Sequence, residues 1–152
     1  MGDLTANLSR HEFDCPCDLP QCSRTPVDYV LVTTIQTLAD RFFAEASDEY
    51  GDEVVRISVS INSGLRCKLY DKAMKLKNGL DFNGKKVSEH VWGIAADFKF
   101  EIVFQDGTRE LIHPDRVVDH LEKEFPNSCG IGQYIGRTHF DTRPEKARWD
   151  NR

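Results

Sequence analysis

The sequence predicts an α+β fold: a small antiparallel sheet with helices packed mainly on one side. Three observations carry this. Leu31, Ile35, Leu38 and Phe42 recur at helical spacing and give one apolar stripe. Val55, Ile57, Val59 and Ile61 alternate with Arg56, Ser58 and Ser60, the pattern of a strand with one buried face. Asp106-Gly107 is a tight-turn signal between two strand-like runs, so hairpins rather than crossovers join the strands.

The elements follow in order. Residues 9–24 hold proline and closely spaced cysteines and read as a loop-rich opening segment. Thr25-Pro26 suits a helix start, with Thr25 as cap and Asp28 in the capping-box position, and Gly51 suits the end of a helix over roughly 26–49. After the strand through Ile61, Asn62-Ser63-Gly64 forms a break. Residues 67–77 fit a short helix closed by Asn78-Gly79, and 81–86 a glycine-bearing loop. Ile94 to Phe100 reads as a strand that Glu101 to Phe104 can prolong, with Glu110 to Ile112 returning beside it. Pro114 opens another helix, with Val117, Val118, Leu121 and Phe125 facing in, and Pro126-Asn127 stops it. The stretch 130–141 is punctuated by glycine, and its last part, 134–141, is expected to be a strand. The charged tail from Pro144 is expected to fray unless Trp149 pins it. At 152 residues the chain suits a single domain, 1–152, with one core.

Composition narrows the function classes. With 39% hydrophobic and 30% charged residues, the chain is neither disordered nor a membrane protein by composition. The net charge of −5 and the absence of a Lys/Arg run argue against nucleic acid and anionic membranes as partners. No stretch has the length and apolarity of a membrane span or signal-peptide core, so the chain is expected to begin in the cytoplasm; a monomer is expected. Five cysteines, an odd number, argue against a full disulfide framework. Cys15, Cys17 and Cys22, with His11 or Cys67, could bind a structural zinc, but C-x-C-x4-C is looser than the paired C-x-x-C of zinc ribbons.

Two segments carry candidate chemistry: Ser88 to Asp97, and Thr138-His139-Phe140-Asp141. Imidazole and carboxylate suit zinc, and two histidines with one aspartate would leave a fourth position open, as catalytic zinc sites do. His139 and Asp141 lie two apart on an expected strand and so share a face. His113 reads as a helix-start residue, His120 as a helix-face residue and Trp92 as a core residue. Gly130-Ile131-Gly132 is too short for a phosphate loop.

Ser88 to Asp97 reads S-x-H-x-x-G-x-A-x-D, which resembles the signature of the D-Ala-D-Ala carboxypeptidase group of zinc peptidases. That group belongs to a wider set that includes lysostaphin-type enzymes and the hedgehog domain. His139-Phe140-Asp141-Thr142-Arg143 is similar to the group's H-x-D-x-R ending, Arg148-Trp149 also recurs there, and Ser63-Gly64-Leu65-Arg66 resembles its S-G-x-R turn. Ser9 to Cys17 resembles the opening of small phage-borne members. The resemblance implies His90, Asp97 and His139 as zinc ligands, with Arg66 and Ser88 on the substrate side. It implies metal-assisted hydrolysis of peptidoglycan stem peptide, by a carboxypeptidase or an endopeptidase. Such an enzyme would be a phage lytic product reaching the wall after release, or part of a virion.

Arg66 reads equally as a structural salt-bridge partner. The sequence departs from relatives that place an acid three residues before the last ligand, where Gly136 stands. Asp141 is then the remaining candidate for the general base, its other role being to orient His139 or Arg143. The competing functions are a non-catalytic zinc-containing binding module on the same fold and a zinc amidase.

Overall fold

The computed structural model describes residues 2–17, 19, 22, 25–79 and 87–152; the expected loop at 81–86 lies outside them. Among the described residues the fold is α+β, with three helices and a six-stranded, mostly antiparallel open sheet. The helices are α1 (Tyr29–Tyr50), α2 (Lys68–Lys77) and α3 (Pro114–Glu124). The strands are β1 (Val54–Ser63), β2 (Ala95–Phe104), β3 (Arg109–Leu111), β4 (Gly130–Tyr134), β5 (Arg137–Asp141) and β6 (Ala147–Asn151). The sheet runs β1-β2-β5-β4-β6. β3 and β5 take successive stretches of the same edge of β2.

Local chemistry sets most element ends. α1 starts later than expected, because Asp28 rather than Thr25 is the cap: its carboxylate accepts from Leu31 N–H at 2.9 Å. Asp28 N–H also donates to the Gly93 carbonyl at 2.9 Å, so this cap ties α1 to the turn before β2. Asp28→Ala should therefore cost about 1 kcal/mol, read as a lower denaturant midpoint. An unchanged midpoint would show that the cap contributes nothing. His113 caps α3, accepting from Asp115 N–H, with Pro114 behind it in the first turn.

Two bulges in β1 change the face reading. Val54 and Arg56 pair with the consecutive residues Phe104 and Val103, leaving Val55 as the extra residue. Val54 is therefore buried and Val55 exposed, against the simple alternation. A second bulge at Asn62 lets Ile61 pair with Phe98 while Ser63 pairs with Asp97. Since Phe98 and Asp97 point to opposite faces, this bulge turns Ser63 away from the core side.

The region after α3 departs furthest from expectation. The stretch 130–141 is a β4–β5 hairpin rather than one late strand, and the charged tail is β6, which pairs in parallel with β4. Phe98, Phe100 and Ile102 of β2, Ile131 of β4 and Phe140 of β5 face one core. They share it with Leu31, Ile35, Leu38 and Phe42 of α1 and with Val117 and Leu121 of α3. The other face of the sheet carries the polar residues of the site.

Candidate metal centre

One row of residues crosses five strands on that second face. Ser63 of β1 pairs with Asp97 of β2, Asp97 with His139 of β5, His139 with Gly132 of β4, and Gly132 with Trp149 of β6. Paired residues point the same way, so sheet register alone brings Asp97 and His139 side by side. His90 arrives from the 3₁₀ turn Glu89–Trp92, which Gly93 ends in the left-handed conformation at φ 75°. That turn is clamped to the loop after β1 at two points. His90 Nδ1 donates to the Gly64 carbonyl at 2.7 Å, and Arg66 N–H donates to the His90 carbonyl at 3.1 Å.

His90, Asp97 and His139 are all buried, and their donor atoms lie within 4.8 Å of one another. His139 Nδ1 is 2.8 Å from Asp97 Oδ1, and His90 Nε2 is 3.7 Å from Asp97 Oδ2. A tetrahedral zinc with ligands at about 2.05 Å needs donor separations of about 3.4 Å, which these two distances bracket. The gap therefore fits a metal ion, and the donors suit one chemically. The carbonyl of Gly64 can only accept, so Nδ1 of His90 carries a proton and Nε2 is the nitrogen turned toward Asp97 and the gap.

Electrostatics of the metal-free triad point the same way. Burial alone would raise the Asp97 carboxyl, but its bonds with His139 and His90 outweigh this and hold it well below the usual carboxylate range. Burial would lower His139, yet Asp141 and Asp97 outweigh it and raise its pKa above that of an ordinary imidazole. The cluster thus favours positive charge at its centre, supplied by a proton when no cation is bound.

Asp141 is fully buried and engaged on both oxygens. His139 Nε2–H donates to Oδ2 at 2.9 Å, and Arg143 donates to both oxygens at 2.6 Å each. The backbone N–H groups of Gly130 and Arg143 add bonds to Oδ1 at 3.2 Å each. Burial would raise this carboxyl too, but His139 and Arg143 outweigh it and hold it low. These contacts match the carboxylate that fixes a ligating histidine from behind.

Glycine supplies the room. A Cβ on Gly130 would stand 2.1 Å from Asp141 Oδ2, and one on Gly132 would stand 2.3 Å from the Trp149 ring. The indole fills the space over Gly132 and lies 4.9 Å from the His139 ring centre, its N–H donating to Tyr134 Oη at 3.0 Å. Gly132→Ala should displace Trp149 and cost about 1–3 kcal/mol in chemical denaturation. Unchanged stability and unchanged tryptophan fluorescence would refute this packing.

Arg66 reaches the site. Its guanidinium lies 3.5 Å from Asp97 Oδ2 and 3.9 Å from Asp71 Oδ1, and Ser63 Oγ accepts from Nε at 3.0 Å and Nη2 at 2.9 Å. The salt-bridge role is thus met, while 22% of the side chain stays exposed. The Asp71 oxygen it faces is buried without a hydrogen bond. Ser88 caps the turn before His90 but makes no side-chain capping bond. Trp92, expected in the core, is 54% exposed. It lines a cleft of about 500 Å³ with Arg66, Lys68, Leu69, Val91 and Leu19 among its walls.

Comparison of the chain with protein-family models, with curated proteins and with solved structures finds no match. The sequence reading missed Gly132 and the placement of Trp149 over His139. Both depend on β6 lying beside β4, which nothing local announces. The glycines at 130 and 132, spaced two apart beside an H-x-D pattern, were the available signal.

Proposed function

We propose that this chain is a zinc-dependent hydrolase of bacterial cell-wall peptide, on a fold of the hedgehog/D-Ala-D-Ala peptidase type. The buried triad carries this reading: two imidazoles and one carboxylate converge, and hydrogen bonds from behind fix both rings. A zinc ion held there supplies Lewis acidity, activating water and polarising a carbonyl. His90 presents Nε2 because Gly64 holds its other nitrogen, and His139 presents Nδ1 because Asp141 holds Nε2. Asp141 is a positioning residue in this account rather than the general base, since His139, Arg143 and two backbone N–H groups occupy its oxygens.

Arg66 stands between Asp97 and the cleft and offers a planar fork of donors to a peptide carboxylate or carbonyl. Lys68, 5.9 Å from the Trp92 ring centre, adds a second cation beside an apolar wall. A short stem peptide ending in a carboxylate fits that chemistry. The resemblance of residues 88–97 and 139–143 to the zinc peptidase group supplies the substrate class.

Purified protein should release soluble fragments from a cell-wall suspension, stop when a chelator is added, and resume when zinc is restored. Release that survives chelation unchanged, or no release, counts against the proposal. The occupied oxygens of Asp141 favour a second reading, a zinc-containing module that binds wall or a partner without cutting. Tight binding to wall fragments with no new amine termini would select it.

A further inference from the structure

We propose that Cys15, Cys17, Cys22 and Cys67 form a second, structural zinc site of four thiolates, which fastens the N-terminal segment to the turn that carries Arg66. The four sulfurs lie within 4.8 Å of one another, although Cys67 is 45 positions from its nearest member in sequence. Cys17 Sγ and Cys67 Sγ are 3.6 Å apart. A disulfide needs about 2.05 Å. A tetrahedron of sulfurs at about 2.3 Å from zinc has edges of about 3.8 Å, close to the observed spacing. The fifth cysteine, Cys129, is buried in the hydrophobic core and stands outside the group.

Backbone donors already point at the sulfurs. Cys67 N–H donates to Cys15 Sγ at 3.2 Å, and Tyr70 N–H donates to Cys67 Sγ at 3.4 Å. Cys67 is the N-terminal cap of the ten-residue helix α2, so its sulfur is held in place by the start of that helix. N–H···S bonds of this kind orient and stabilise sulfur ligands. On binding, each thiol gives its proton to solvent and its sulfur lone pair to the metal, and no redox partner is needed.

The surrounding chain is built for a fixed junction. Leu65 N–H donates to the Phe13 carbonyl at 2.7 Å, and a Cβ on Gly64 would stand 2.6 Å from Phe13 Cα. The N-terminal segment therefore meets the turn at residues 64–67 in close backbone contact at Phe13 and through the cysteine sulfurs, and a metal at the four sulfurs would lock that contact. Cys22 and Cys67 also line the cleft shared with Arg66, so the site would hold one of its walls. This inference does not require the triad to be catalytic.

The test is cobalt substitution of the full chain under reducing conditions, with metal analysis of the zinc form. The wild type should hold one metal ion per chain beyond any ion held by the triad. Its cobalt form should show the near-ultraviolet thiolate-to-cobalt charge-transfer bands that a His/Asp site cannot give. The C15S/C22S variant should bind one ion fewer and lose those bands, while an Asp97→Ala variant keeps them. Absence of the bands in the wild type, or a Cys–Cys pair found as a disulfide by intact mass, overturns the proposal. Should C15S/C22S fail to fold, the wild-type spectrum decides alone. Failure of wall hydrolysis leaves these bands in place, so the two proposals fail separately.

Discussion

Asp97→Ala should lose the triad metal and reduce wall hydrolysis to background. The carboxylate sits between both imidazoles, 2.8 Å from His139 and 3.7 Å from His90, and is the negative ligand of the set. Removing it leaves two neutral donors and places the Arg66 guanidinium, 3.5 Å from the lost oxygen, against the empty position. Partners one layer behind a metal ligand are worth about 10- to 100-fold in affinity, so loss of the ligand itself should exceed that. Metal content after dialysis should fall by one ion per chain, with the far-ultraviolet circular dichroism unchanged. Retention of that ion together with full turnover would show that Asp97 is not a ligand.

The second large effect is expected at Asp141. Asp141→Ala removes the carboxylate from a fully buried position, leaves His139 Nε2–H without its acceptor and leaves Arg143 facing the more distant Glu89 carboxylate at 3.8 Å. Breaking such a pair from one side costs about 3–5 kcal/mol where both charges are buried. Arg143 is 19% exposed, so the lower end, about 3 kcal/mol, is expected by denaturant unfolding. The milder Asp141→Asn keeps an acceptor and isolates function. It should weaken zinc binding about 10- to 100-fold, with activity restored by excess zinc. Zinc affinity retained with turnover lost would instead make Asp141 the proton-transfer group.

The metal-free protein adds a pH signature. The folded Asp141 carboxyl lies below its unfolded value, so its contribution to stability is present above about pH 4 and is lost as the pH falls through the folded value. The acid limb of a stability profile should therefore flatten in Asp141→Ala. An acid limb identical to the wild type would contradict that linkage.

Elements with their own periodicity were legible. Leu31, Ile35, Leu38 and Phe42 define the buried face of α1 as their spacing predicts, and the Asp106-Gly107 turn returns the chain from β2 to β3. The bulges at Val55 and Asn62 were not, because they answer to pairing with β2 rather than to side-chain type. β4 was missed because two of its five residues are the glycines that make room for Asp141 and Trp149. β6 was missed because Arg148, Asp150 and Asn151 read as a solvated tail, while its pairing with β4 is parallel and distant in sequence. In the site, the same-face placement of His139 and Asp141 follows from a strand's period of two, and their 2.9 Å bond fits it. The approach of Asp97 to His139 needed sheet register. The gathering of Cys67 with Cys15, Cys17 and Cys22 needed the packing of the turn at 64–67 on Phe13.

Mass spectrometry of peptidoglycan digested by the protein, with and without chelator, tests the central claim most directly. The account predicts stem-peptide fragments with new amino termini that appear in the zinc-loaded reaction, vanish on chelation and are absent with Asp97→Ala. Intact stem peptides in every reaction, or the same fragments in the presence of chelator, would contradict it.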